Sequence, residues 1–139
     1  MVRAGDQSVA LACPAMGTRF EVILRGADAV SLRSAGEAAI EEVQRWHALL
    51  SAFDASSIVS RINREAAVRP VPVPAEVAAL LKWCGEVSAA SGGAFDPAVG
   101  SLMRSAGFRG ESRVEEPPVC TPMRRVLVED HGGVWRVRF

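Results

Sequence analysis

The chain has 139 residues, 49% apolar and 23% charged, which is ordinary for a globular protein and enough for one domain with a real core. Sixteen basic residues balance sixteen acidic ones, so no global field selects nucleic acid or an anionic membrane as partner. Cys13, Cys84 and Cys120 are an odd and scattered set, which argues against a disulfide framework or a zinc site, and no apolar run is long enough to span a membrane.

The elements follow in chain order. Val9–Cys13 reads as a β run, and Pro14-Ala15-Met16-Gly17 breaks it. Thr18 to Leu24 then alternates, with Phe20, Val22 and Leu24 on one face and Arg19, Glu21 and Ile23 on the other. Arg25-Gly26-Ala27-Asp28 predicts a turn. A long helix is expected from Leu32 to Leu50, because Leu32, Ala35, Ala39, Val43, Trp46 and Leu50 recur three or four apart as one stripe. Asp28 or Ser31 can cap its start, and Glu41 stands one turn before Arg45 as a favourable ion pair.

Ser51 to Arg64 predicts a turn and a short helix capped by Asp54, with Ile58 and Ile62 inward. Pro70, Pro72 and Pro74 then enforce an extended connection, and Pro74 suits the first turn of the next helix. That helix carries Val77, Leu80, Leu81, Cys84 and Val87 on one face and is stopped by Gly92 and Gly93. Val99 to Ser105 predicts a short helix, and Arg109 to Thr121 a polar loop. Arg124–Val128 and Val134–Phe139 read as strands joined by the turn Glu129–Gly133, and a last strand ending on Phe139 suggests either a cut sequence or a sheet edge at Val134–Phe139. The expected fold class is α+β, helices packed on a partial, mostly antiparallel sheet.

Few chemical motifs are present. There is no dinucleotide or phosphate loop, no zincin helix and no nucleophile elbow. Neither His47 nor His131 is placed as a base for a cysteine, so no catalytic residue is assigned. Ala10-Leu11-Ala12-Cys13 has the form of a lipoprotein cleavage site, but Asp6 interrupts the segment before it and no apolar stretch fits there. With no leader visible, a cytoplasmic location is favoured; a removed leader would make the protein an exported one.

Three segments carry a family resemblance. Ala15-Met16-Gly17-Thr18 leads into the alternating strand. Leu50-Ser51-Ala52-Phe53-Asp54 continues through Arg61-Ile62-Asn63. Gly92-Gly93-Ala94-Phe95-Asp96-Pro97-Ala98-Val99-Gly100-Ser101-Leu102 is followed by Gly107-Phe108. In this order, with the long helix between the first two, they resemble the first half of the FAD:protein FMN transferase (ApbE) family over about residues 10 to 139.

The resemblance implies an enzyme that binds FAD, uses Mg2+ and transfers FMN to a Ser or Thr hydroxyl of an acceptor flavoprotein. It implies cofactor contacts at Met16, Phe53, Ala94, Phe95 and Asp96. The thioether of Met16 suits a flavin ring face and Phe53 would stack beside it. The plainer readings are a core methionine, a core aromatic, and for Asp96 a cap on the helix that follows. Gly93 reads as a backbone requirement, and Asn63 as the end of the short helix. Ser101 stands where relatives often have Pro. The family's later segments, a Leu-Asp-Leu-Gly-Gly type stretch and an Asp/Ala/Thr-rich stretch that supplies the metal ligands, are missing. Residues 1–139 therefore read as one N-terminal region without metal ligands, inactive by itself. The alternative is a non-catalytic FAD-binding or interaction module that pairs with another copy or with a complementing C-terminal half.

Overall fold

The computed structural model describes residues 7–107 and 121–139. Its Cα packing divides the chain into two compact units, Met1–Ser60 and Arg61–Phe139. Each is described by itself.

The first unit opens with an antiparallel hairpin, β1 (Gln7–Ala15) and β2 (Thr18–Gly26), paired from Gln7↔Gly26 to Ala15↔Thr18. The expected break at Pro14 moves to the two-residue turn Met16-Gly17, with Pro14 inside the strand opposite Arg19. A two-stranded sheet is all edge, so a residue without an N–H is tolerated there. The turn has φ 50° at Met16 and 74° at Gly17, the left-handed pair that matches the twist of the flanking strands. Along β2 the alternation holds: Phe20, Val22 and Leu24 are half-buried, while Ile23 is exposed.

That face meets α1 (Ala29–Leu50), which packs on both strands. The helix starts at Ala29 rather than Leu32 because Asp28 caps it, accepting from the Val30 N–H at 3.1 Å and the Ser31 N–H at 3.2 Å. The buried stripe is also displaced from expectation. Ala35 is exposed, and its neighbour Gly36 is buried. A Cβ on Gly36 would stand 2.6 Å from Leu11 Cδ1 and 3.0 Å from Leu24 Cδ1, so the helix backbone rests directly on the hairpin. Arg45 grips Glu42, with bonds of 2.8 and 2.7 Å, and Glu42 also accepts from Trp46 Nε1 at 2.7 Å.

α2 (Ile58–Glu65) is capped by Ser57, whose hydroxyl accepts from the Ser60 N–H at 3.0 Å. Asp54, the expected cap, is turned instead to Ser56, accepting from its N–H at 2.8 Å and its hydroxyl at 2.7 Å. The helix runs past Asn63, which is exposed, so Asn63 does not end it.

The second unit holds a three-stranded antiparallel sheet in the order β3-β5-β4, from β3 (Val71–Pro72), β4 (Leu127–His131) and β5 (Val134–Arg138). This corrects the placing of Val134–Phe139 at an edge: β5 is the central strand. The proline-bearing segment takes the edge because Pro72 has no N–H to give a further neighbour. The turn is also shorter than expected, Gly132-Gly133 alone, with φ 66° and 88°. α3 (Ala75–Ala90) follows Pro74 and packs on β4, β5 and the 3-10 turn Met123–Arg125. Val71, Val73, Val77, Ala78, Met123 and Val137 form the buried core. Lys82 lies 4.7 Å over the centre of the Trp135 ring. α4 (Gly100–Ser105) completes the described helices. The fold class is α+β, as the sequence predicts; Phe108, Cys120 and nearly all of the expected loop Arg109–Thr121 lie outside the described residues.

Candidate functional site

Met16 and Phe53 belong to the first unit, and Ala94, Phe95 and Asp96 to the second. In the first unit Met16 occupies the hairpin turn and is 45% exposed. Among the described residues it alone, apart from glycines, has positive φ. Its N–H donates to Nδ1 of His47 at 3.0 Å, near the end of α1. Phe53 is 77% exposed, on the short segment after that helix. The segment is pinned from within: the Ser51 hydroxyl accepts from the Phe53 N–H at 3.4 Å and the Asp54 N–H at 3.2 Å. The Ser56 hydroxyl, then its N–H, hold the Asp54 carboxyl below its ordinary range, and the charge of His47 adds to this.

In the second unit, α3 ends on Gly92 and Gly93, with φ 62° and 85°. The Gly93 N–H donates to the Ser88 carbonyl at 2.8 Å, closing the helix. Ser91 then organises the corner: its hydroxyl accepts from the Phe95 N–H at 3.0 Å, and its carbonyl from the Ala94 N–H at 3.2 Å. Ala94 is exposed and Phe95 is 41% exposed. Asp96 does not cap α4, which starts only at Gly100. Its carboxylate accepts from the Ala98 N–H at 2.9 Å and, with both oxygens, from the Met123 N–H at 3.2 and 3.1 Å. It thereby ties the corner to the 3-10 turn.

Met16, Phe53 and Phe95 are thus surface residues, and the core reading of Met16 and Phe53 does not hold. Each has its backbone N–H held by a side-chain acceptor, His47 for Met16, Ser51 for Phe53 and Ser91 for Phe95. The sequence alone missed His47 and the Asp96–Met123 link, because both bridge distant segments and no local pattern marks them. Burial pushes the Cys84 thiol up, in keeping with a packing residue. Among the described residues no group of three or more His, Cys, Asp or Glu side chains could hold a metal ion. No helix among them is long and apolar enough to cross a membrane.

The family model of the ApbE family matches residues 16–129, so it takes in Met16, Phe53 and the whole Gly92–Leu102 corner. The chain belongs to the ApbE family. Its fold is similar to the crystal structure of an ApbE protein from Thermotoga maritima, at 27% identity and TM-score 0.79, over 95% of this chain and 44% of that one. It is also similar to the apo flavinyl transferase ApbE of Pseudomonas stutzeri, at 25% identity and TM-score 0.71, over 99% of this chain and 48% of that one. This ApbE-family chain therefore spans less than half the length of either structure. No curated protein sequence matches it.

Proposed function

We propose that this chain forms the FAD-binding, N-terminal part of an FMN transferase. In that reaction the acceptor flavoprotein's Ser or Thr oxygen bonds to the FMN phosphorus. The bond from that phosphorus to the bridging pyrophosphate oxygen breaks, AMP leaves with the oxygen, and the hydroxyl proton is released. The observation that carries the proposal is the exposure of Met16, Phe53 and Phe95, three large apolar side chains on three braced corners inside the family match. A thioether and aromatic rings suit the broad faces of a flavin. The Ala94 and Phe95 N–H groups already serve Ser91, so that corner offers a ligand its side chains and shape more than its donors.

Mg2+ belongs to the same reading, but the described residues do not fit it: they hold no cluster of donors. No step is therefore assigned to a metal held by this chain. The 139-residue polypeptide by itself is expected to bind FAD and to transfer no FMN.

Titration with FAD, followed by flavin fluorescence, tests the proposal. Phe53→Ala should weaken binding roughly five- to tenfold through a lost ring contact. Asp96→Ala should weaken it too, and lower the stability of the second unit by about 1–2 kcal/mol because the Met123 N–H loses its acceptor. Absence of binding at high micromolar FAD would overturn the reading. Covalent FMN on an acceptor peptide after incubation with FAD and Mg2+ would overturn the expectation of inactivity.

A further inference from the structure

A residue with a Cβ rarely adopts φ 50°, and does so under strain that its surroundings must offset. For Met16 one offsetting contact is explicit. Its N–H points at Nδ1 of His47, 31 residues on. A ring nitrogen that accepts a hydrogen bond carries no proton, so the neutral imidazole has its proton on Nε2. His47 is half-buried at this point, with its own carbonyl accepting from the Ser51 N–H at 2.9 Å.

We propose that His47 is a positioning residue for the FAD site: its unprotonated Nδ1 holds Met16 in the left-handed turn, and protonation of that nitrogen lets the turn go. The importance of Met16 for flavin rests on the function proposed above, whereas the hydrogen bond and the turn do not.

The charges around the ring give this arrangement two states. On its own helix, Glu42 is engaged by Arg45 and Trp46. From β1 the only titratable side chain is Cys13, which is buried. On β2, Arg19, Glu21 and Arg25 lie on the exposed face, away from the face that meets α1. On the segment after the helix, Asp54 interacts with the His47 charge. A protonated ring is attracted to Asp54 and to the carbonyl end of α1, whereas the Met16 N–H needs the unprotonated Nδ1 as its acceptor. Acid therefore moves the preference of His47 from the Met16 turn to the segment that carries Phe53. One ring links both candidate flavin contacts of the first unit.

The test follows the Met16 amide by NMR across the titration of His47, without flavin, in wild type, His47→Asn and His47→Ala. Asn can place Oδ1 where Nδ1 stands and does not titrate. In wild type the Met16 amide shift should follow the imidazole titration, and its protection factor should drop about fivefold on the acid side, the effect of one ordinary hydrogen bond. His47→Asn should keep the protection without the titration, and His47→Ala should lack it at every pH. An amide that behaves alike in wild type and His47→Ala, or that titrates in His47→Asn, overturns the proposal. FAD affinity is then measured over the same range: it should fall with the amide in wild type and stay level in His47→Asn. Wild-type FAD binding that ignores the titration overturns the positioning role. Absence of any FAD binding sinks the functional reading instead, and the amide titration still decides whether His47 holds the turn.

Discussion

The two hairpins make the same kind of turn with different residues in its first place. The β4–β5 hairpin turns on Gly132-Gly133 and the β1–β2 hairpin on Met16-Gly17, all four at positive φ. The first has a local brace, the Asp130 carboxylate accepting from the Gly133 N–H at 2.8 Å. The second is braced from another element, by His47. Glycine makes such a turn without side-chain strain and offers nothing to a ligand. Methionine makes it under strain and offers a thioether. The Gly-Gly turn reads as architecture, and the Met-Gly turn as a place where a side chain is worth presenting.

Mutations can break or sharpen this contrast. The largest effect is expected where the β1–β2 hairpin rests on its helix. Gly36→Val drives a branched side chain into Leu11 and Leu24 and should destabilise the first unit by about 2 kcal/mol, read by urea unfolding. Unchanged stability would show that the hairpin is not held there. Gly132→Ala comes next, at about 1 kcal/mol: no atom lies within 4 Å of the added Cβ, so the loss is backbone strain alone. Met16→Gly should do the reverse, raising stability by about 0.5 kcal/mol while FAD affinity falls. If Met16→Gly destabilises the hairpin, the idea that strain is stored at Met16 fails.

The smallest effect is on acidification. The Ser31 hydroxyl, then the Val30 and Ser31 N–H groups, hold the Asp28 carboxyl below its ordinary range. A depressed folded value means that the cap contributes fully above the unfolded carboxylate range and is lost as pH falls through the folded value. Protection of the Val30 and Ser31 amides should therefore decline only below about pH 4. Asp28→Asn should keep the cap and remove the pH dependence. An equal decline in the Asn variant would mean that the helix frays for another reason.

Much of the fold was legible because it is local. Period-two alternation placed β2, the diglycine placed the end of α3, and the prolines placed an extended run before it. What the sequence could not show was anything set by packing between distant segments. The apolar spacing of α1 runs through Ala35 because alanine counts as apolar; the helix turns Gly36 inward, since only a residue without Cβ allows that approach to Leu11 and Leu24. Asp54 looked like a cap, but Ser57 stands nearer the first turn of α2 and does the capping. Val134–Phe139 reads as an edge because no local pattern announces a partner on its far side; Val71 and Pro72, pairing with Val137 and Arg136, make it central. For the candidate site, the resemblance supplied Met16, Phe53, Ala94, Phe95 and Asp96. The structure supplied what a linear motif lacks, their exposure and the groups that hold them.

The placement of Lys82 has an experimental consequence. It is the only lysine of the chain, and its ammonium rests on the Trp135 ring that links α3 to the central strand. An amine-selective reagent thus has one side-chain target. Acylation there removes the cation from the indole face, so in a Trp46→Phe, Trp83→Phe variant the remaining Trp135 emission becomes a built-in optical gauge of whether that helix stays seated on its sheet.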